Sequence, residues 1–102
     1  MVAYWIARAK INNPVEYKKY ADKVPGILAK YQGKILSRGG DFQILEGPEI
    51  FERFVVIEFQ SMAMAVSCFN SPEYLAAATF RRNENAGQNE LVIVEAVEAT
   101  PS

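Results

Sequence analysis

Two segments of this chain are apolar at both odd and even positions, and no other pattern constrains the fold as much. Residues 54–59 read FVVIEF and residues 91–97 read LVIVEAV. Successive side chains of a strand point to opposite faces of a sheet, so a strand of this kind needs cover on both faces. We expect the chain's own helices to cover one face and a second copy of the chain to cover the other, most simply in a closed two-fold homodimer.

Three of the expected strands also carry a charge among their apolar residues. Arg38 follows residues 34–37, Glu58 interrupts the third strand and Glu95 interrupts the last. Burying an ionised group alone is unfavourable, so each of these side chains must be paired, hydrated or used in a site. They mark where a functional site is to be sought.

Composition excludes several classes of protein. The 102 residues predict one domain over 1–97 with a frayed tail at 98–102. With 11 basic and 12 acidic residues the net charge is −1, which gives no electrostatic basis for binding nucleic acid.

The apolar start, residues 1–7, is far shorter than the roughly 20 residues of a membrane helix and lacks the features of a signal peptide. We therefore expect a cytoplasmic protein with no membrane partner.

The chain has no histidine, and Cys68 is its single cysteine. An internal disulfide is therefore impossible, and catalytic triads of the Ser-His-Asp or Cys-His kind are excluded. The commonest metal ligand and the usual haem ligand are missing as well, so we expect neither a metal nor a cofactor. Without a histidine to activate it, Cys68 is expected to be a buried, inert thiol.

The local patterns predict four strands and two helical regions. Strands are expected over 2–11, 34–38, 51–60 and 90–97, with 42–45 continuing the second. Asn13 and Pro14 are typical of a helix start, and apolar residues then recur at helical spacing up to residue 31. Pro25-Gly26 lies inside that pattern and predicts a kink or a break. Ser61 and Ser71-Pro72 begin further helical segments over 62–69 and 72–83.

The resulting order is β-α-β-β-α-β, which is the ferredoxin-like arrangement of the α+β class. It predicts a four-stranded antiparallel sheet with the helices on one face.

Several motifs then resemble one small family. They are Arg38-Gly39-Gly40, Glu46-Gly47, Arg53 with the strand that follows it, Ser71-Pro72-Glu73-Tyr74, and Arg81. In combination and order they are similar to the domain-of-unknown-function family numbered 1330, within the dimeric α/β-barrel superfamily, from Tyr4 to Glu95. The resemblance implies a ferredoxin-like protomer whose sheet packs on a second sheet to form a dimeric barrel. It implies no function, because superfamily relatives range from cofactor-free monooxygenases to isomerases and haem-degrading enzymes.

Arg38 and Glu58 are the candidate catalytic residues. Arg38 can hold a carboxylate or an enolate oxygen, and Gly39 and Gly40 beside it give a ligand access to the backbone. The alternative is that Arg38 pairs internally with Glu58 or Glu95. Glu58 can act as a general base if burial raises its pKa, or it is the structural partner of an arginine.

The candidate ligand-binding residues are Tyr4, Trp5, Tyr74 and Arg81, together with the two glycines. Tyr4 and Trp5 point to opposite faces, so one belongs to the core and the other can line a cavity. Tyr74 starts a helix and can close over a pocket. Arg81 either reaches a cleft or has a solvated or intrahelical role. Arg53 is expected to be structural, and Tyr17 and Tyr20 to be packing residues.

Two functions remain open at this stage. One is a non-catalytic homodimeric module that binds a small metabolite or holds only an internal charge network. The other is a cofactor-independent enzyme, an isomerase, proton-transfer enzyme or monooxygenase, that acts on a small organic acid or aromatic compound. Glu58 would then move a proton and Arg38 would stabilise developing negative charge.

Overall fold

A computed structural model describes residues 1–97, and the predicted frayed tail lies outside these residues. Residues 1–97 form four strands, which are β1 (Ala3–Ile11), β2 (Lys34–Arg38), β3 (Arg53–Phe59) and β4 (Gly87–Glu95). Helix α1 (Pro14–Lys30) follows β1, and helices α2 (Met62–Phe69) and α3 (Pro72–Arg82) follow β3. A short 3-10 turn, Asn83–Asn85, leads into β4. None of the helices in this part of the chain is long and apolar enough to cross a membrane.

The four strands form one antiparallel sheet in the order β2-β3-β1-β4. This is the predicted ferredoxin-like arrangement, and the fold class is confirmed. The central strand β1 pairs Tyr4 with Glu58 on one side and with Val94 on the other, and Trp5 with Ile57 and Ile93. Directly paired residues of neighbouring strands form a row across the sheet, and their side chains point to the same face. The register therefore assigns every strand side chain of β1, β3 and β4 to one of two faces.

Each helix begins at the polar residue that the sequence marks as its cap. The side chain of Asn13 accepts a hydrogen bond from the backbone N–H of Glu16 at 3.2 Å. The hydroxyls of Ser61 and Ser71 accept from Met64 and Tyr74, each at 3.1 Å. These bonds satisfy backbone donors that a helix start leaves without a partner, and they set where α1, α2 and α3 begin.

Helix α1 continues through Pro25 and does not break into two pieces. Proline has no N–H, so the carbonyl of Ala21, four residues earlier, loses its helical partner. The guanidinium of Arg38 supplies the missing donor, because its Nη2 lies 2.6 Å from that carbonyl oxygen. A side chain from β2 thereby replaces a backbone hydrogen bond of α1, and the expected break is absent.

The connection between β2 and β3 also differs from the sequence-based expectation. Residues 42–45 do not continue β2, because the chain turns away at Gly39, whose φ is +67°. Within β2 the pairing with β3 shifts between Ile35 and Ser37, which is a β-bulge. Ile35 lies opposite Ile57, whereas Arg38 lies opposite Val55. The bulge therefore decides which face Arg38 occupies.

The helices cover the inner face of the sheet, where the core is aromatic. Trp5 is 2% exposed and packs its ring against Phe59 and Tyr74, with centroids 5.9 Å and 5.1 Å away. Tyr20 meets Tyr74 edge-on at 6.0 Å. Burying such side chains supplies most of the hydrophobic stabilisation of a small domain.

The outer face of the sheet carries large apolar side chains that the protomer leaves exposed. Ile6, Val94 and Val92 are 41%, 45% and 56% exposed, and they lie in adjacent rows of β1 and β4. From the β2–β3 connection, Phe42 packs on Phe54 at the edge of this face, with ring centroids 4.7 Å apart. We call this surface, formed by Ile6, Phe54, Val56, Val92 and Val94, the outer sheet face. A contiguous apolar surface of this kind is characteristic of an interface.

Candidate ligand-binding cleft

A cleft opens between α1 and the inner face of the sheet. The space that the centre of a water molecule can occupy in it measures about 30 Å³, and the whole concavity, part of it open to solvent, about 460 Å³. The lining is largely apolar and aromatic, with polar groups towards one end. Its residues are Trp5, Ala7, Arg8, Ala9, Tyr17, Tyr20, Ala21, Val24, Leu28, Ile35, Arg38, Arg53, Val55, Ile57 and Asn89.

Arg38 lines the cleft from the end of the edge strand β2. The bond from its Nη2 to the carbonyl of Ala21 fixes the guanidinium against α1. A guanidinium carries five N–H donors, so most of them stay available on the exposed side of this group. Arg38 therefore has a structural partner, but a backbone carbonyl and not the carboxylate of Glu58 or Glu95.

Arg53 lines the same cleft from the start of β3. Its guanidinium carbon lies 5.9 Å from the ring centroid of Tyr17, on α1. Its Nη1 would lie 3.2 Å from a Cβ on Gly39, so the absence of a side chain at Gly39 leaves room for this guanidinium. Within residues 1–97, neither Arg53 nor Arg38 forms a salt bridge.

Behind the cleft, two tyrosines and an arginine form a buried polar cluster. The hydroxyls of Tyr20 and Tyr74 are 2.8 Å apart, and Nη2 of Arg81 donates to the hydroxyl of Tyr74 at 3.3 Å. Arg81 is 6% exposed and lies 5.2 Å above the ring of Tyr20. Its Nε has no hydrogen-bond partner among the residues described.

Two members of this cluster, Tyr20 and Arg81, have shifted pKa values. Burial, reinforced by the neighbouring Tyr74, raises the pKa of Tyr20 well above its ordinary value, so its hydroxyl stays neutral. Burial opposes the charge on Arg81, but the interactions with Tyr74 and Tyr20 outweigh it and raise the pKa of this guanidinium. The cluster thus holds the positive charge of Arg81 in the core, next to the neutral phenol of Tyr20.

Asn89, on β4, adds a polar group to the cleft lining. Its side-chain nitrogen lies 3.5 Å from the hydroxyl of Tyr17, and its side-chain oxygen is buried without a partner among residues 1–97. An unsatisfied buried acceptor of this kind is rare in proteins and is often met by a bound water or ligand.

The structure does not bring the two candidate catalytic residues together. Glu58 lies on the outer face, in the same row as Tyr4 and Lys34, whereas Arg38 lies on the helix side. Within one protomer they do not face one substrate. Tyr4 and Trp5 do point to opposite faces, with Trp5 in the core and Tyr4 on the outer face.

The remaining candidates divide between the cleft and its surroundings. Gly39 lies beside Arg53 at the cleft, whereas Gly40 is exposed with open space around it. Tyr74 and Arg81 are buried behind the cleft and do not line it. Cys68 is fully buried, and burial raises the pKa of its thiol to about 11, as befits an inert thiol.

Sequence reasoning missed the roles of Arg53, Tyr17, Tyr20 and Asn89 in this cleft. The alternation along β3 places Arg53 with Val55, which the sequence could have indicated. That Arg38 joins them depends on the bulge in β2, which no sequence signal marked.

The fold and its exposed apolar sheet face define the chain as a ferredoxin-like α+β domain of the kind found in dimeric proteins. The protein belongs to the family described as "Domain of unknown function (DUF1330)", whose sequence profile matches residues 2–97. This confirms the resemblance drawn from its motifs. No curated protein matches the chain.

Several solved structures share the fold at low sequence identity. A protein of unknown function from Rhodopseudomonas palustris is 18% identical with a TM-score of 0.72, covering 95% of this chain and 83% of that one. SnoaB, a cofactor-independent oxygenase from Streptomyces nogalater, is 16% identical with a TM-score of 0.63, covering 99% and 98%. A dimeric protein of unknown function and ferredoxin-like fold from Bacteroides fragilis is 14% identical with a TM-score of 0.63, covering 93% and 96%. Likeness at this level of identity concerns the fold alone.

Proposed function

We propose that this protein is a homodimeric module that binds a small, partly apolar molecule in the cleft between α1 and the sheet. The observation that carries the proposal is an apolar lining with polar groups at one end. Arg38 and Arg53 form no salt bridge within residues 1–97, and the side-chain oxygen of Asn89 has no hydrogen-bond partner among the same residues. Binding sites for small molecules typically combine a mostly apolar concavity with a few polar groups that orient the ligand.

The packing of α1 supports access to this cleft. Helix α1 makes its main contacts with α3, whereas its backbone approaches the strands at few points. Large side chains such as Tyr17 and Tyr20 fill the space between α1 and the sheet. A small displacement of α1 away from the strands would enlarge the cleft.

The outer sheet face supports the homodimer. A second copy would cover Ile6, Val92 and Val94, which the protomer exposes. The Bacteroides fragilis protein of the same fold is described as dimeric. A two-fold arrangement would place the ligand cleft of each protomer on the side of the sheet away from the interface.

Trp5 allows the binding proposal to be tested directly, because it is the chain's single tryptophan and lines the cleft. We expect its fluorescence to change saturably when hexanoate, hexanamide or cyclohexanol, none of which absorbs at the excitation wavelength, is titrated in. Ala21→Leu should abolish the response by filling the cleft. Ala29→Leu, the same change at an exposed position of α1, should retain it. If none of the three compounds gives a saturable change in the wild type, the proposal fails.

A second candidate is a cofactor-independent enzyme, and the position of Glu58 favours it. Glu58 is half-buried opposite Tyr4 on the face that a second copy would cover, so dimerisation would enclose a carboxylate beside a phenol. SnoaB, of the same fold, is a cofactor-independent oxygenase. If the protein is such an enzyme, Arg38 does not act at the same site as Glu58 of its own protomer, because the two residues lie on opposite faces of the sheet.

Proton exchange separates the two candidates. 4-Oxopentanoate, a small acid with exchangeable protons next to a ketone, would be incubated in deuterated buffer and followed by proton NMR. The binding module predicts no acceleration over buffer alone. Acceleration that Glu58→Gln removes, but that Glu46→Gln on the exposed β2–β3 connection preserves, would favour the enzyme instead.

A further inference from the structure

We infer that the ligand of the cleft is a small carboxylic acid with a short apolar chain, held through its carboxylate by Arg38 and Arg53. The inference rests on the proposed function and assigns the chemical class of the ligand. Four features of the cleft support it: the spacing of the two arginines, the charge of the lining, the fixed position of Arg38, and the shape of the apolar part.

The two arginines are close neighbours on one face of the sheet. Arg38 pairs with Val55, and Arg53 lies two residues before Val55 on the same strand. Diagonal neighbours of this kind have Cα atoms about 7–8 Å apart, within reach of long side chains. Both side chains line the cleft, so their guanidinium groups can converge on one anion.

The charge of the cleft lining is unbalanced. Among residues 1–97, the lining contains Arg8, Arg38 and Arg53 and no Asp or Glu. Arg8 is neutralised elsewhere, because its Nη2 lies 2.7 Å from the carboxylate of Glu90 on the outer face. Arg38 and Arg53 have no such partner within residues 1–97. Two like charges side by side destabilise a strand pair, and a bound anion relieves this repulsion.

Arg38 is held in place before any ligand binds. Its bond to the carbonyl of Ala21 uses one of five N–H donors and fixes the side chain against α1. Because the guanidinium is already held in position, less side-chain entropy is lost when a ligand binds. Pro25 is the reason that this carbonyl is free, so the proline of α1 contributes indirectly to the site.

The rest of the lining selects an apolar chain over a second charged group. The apolar part of the lining comes from both sides of the cleft. Val24 and Leu28 belong to α1, Val55 and Ile57 belong to β3, and the buried Trp5 belongs to β1. The space open to the centre of a water molecule, about 30 Å³, holds only one or two water-sized groups, and the whole concavity of 460 Å³ bounds the ligand. A short aliphatic acid fits these limits, whereas inorganic phosphate leaves the apolar part empty.

The test compares hexanoate with hexanamide, which has the same chain and no charge, by Trp5 fluorescence at low ionic strength. We expect the wild type to bind hexanoate at least tenfold more tightly. Arg53→Met should reduce this preference to less than about threefold. Arg82→Met, the same change at an exposed position at the end of α3, should leave it intact. Arg53→Lys, which keeps the charge without the fork of donors, should retain part of the preference.

Each outcome decides a different point. Equal binding of hexanoate and hexanamide by the wild type overturns this inference and leaves the proposed function standing. Binding of neither compound, nor of cyclohexanol, overturns both. If inorganic phosphate displaces hexanoate with equal affinity, the site is a general anion site and the assignment of an apolar acid is wrong. Loss of preference in Arg82→Met as well would mean that net charge, and not the arginine pair, determines binding.

Discussion

At the scale of single residues, the role of Arg38 follows from a proline on another element. Pro25 cannot donate to the carbonyl of Ala21, and the guanidinium of Arg38 does so at 2.6 Å. This contact explains both why α1 is continuous and why a charged residue ends an edge strand. The position of Arg38 at the cleft therefore depends on the helical hydrogen bond that Pro25 cannot form.

A double-mutant cycle tests this dependence. We expect Arg38→Met to lower the free energy of unfolding by about 1 kcal/mol, because the carbonyl of Ala21 then loses its partner. In a Pro25→Ala background the backbone N–H of residue 25 takes over, so the same change should cost close to nothing. The measurement is thermal unfolding of all four proteins, where 1 kcal/mol corresponds to about 4–8 °C. Equal costs in both backgrounds would show that the contact with Ala21 is unimportant.

Residue-scale features differ in how far the sequence determined them. The caps at Asn13, Ser61 and Ser71 were predictable, because each accepts from a backbone N–H only three residues away. The partner of Arg38 was not, because it lies on an element 17 residues earlier in the chain and is a backbone carbonyl without any side-chain signal.

At the scale of elements, the contact between α1 and β4 depends on Gly87. A Cβ at this position would collide with the ring of Tyr17, which lies directly against the start of β4. Gly87 pairs with Ile11, so the strand also begins earlier than the polar loop suggested. The absence of a side chain at Gly87 allows α1 to approach the sheet edge and places Tyr17 in the cleft.

Gly87→Ala should therefore destabilise the protein by about 1–3 kcal/mol, since the buried ring of Tyr17 must move. Gly40→Ala is the matched control, because open space surrounds that position and its φ is not positive. We expect it to leave the midpoint of thermal unfolding unchanged within about 2 °C. Similar midpoints for the two variants would contradict the close packing of Tyr17 on Gly87.

The order of elements was predictable from the sequence, whereas the position of the site was not. Helical and strand periodicities, turn residues and caps gave β-α-β-β-α-β and hence the sheet. The bulge between Ile35 and Ser37 changes the face of every residue after it in β2. Arg38 therefore lies opposite Val55 on the helix side, and its predicted association with Glu58 is not found within the protomer.

At the scale of the whole molecule, we expect one face of the sheet to bind the ligand and the other to form the dimer interface. The inner face carries the cleft, and the outer sheet face carries exposed apolar side chains of the kind found at interfaces. The apolar strands of both parities had indicated this division from the sequence alone.

A charge at the centre of the outer sheet face should separate the two copies. Val92 is 56% exposed and pairs with Ile6, which in turn pairs with Val56, so Val92→Lys would place a lysine among apolar side chains in the interface. We expect light scattering to give the mass of two chains for the wild type and of one for Val92→Lys at micromolar concentration. Val15→Lys, the same change at an exposed position of α1, should stay dimeric. A monomeric wild type would contradict the homodimer.

The central claim is that the small-molecule site lies on the helix side of the sheet and not on the outer sheet face. Methyl NMR during a titration with hexanoate measures this directly, because the two faces carry different methyl groups. We expect shifts at Val24, Leu28, Val55 and Ile57, with Ile6, Val92 and Val94 unchanged. Shifts confined to Ile6, Val92 and Val94 would place the ligand on the outer sheet face and contradict the account.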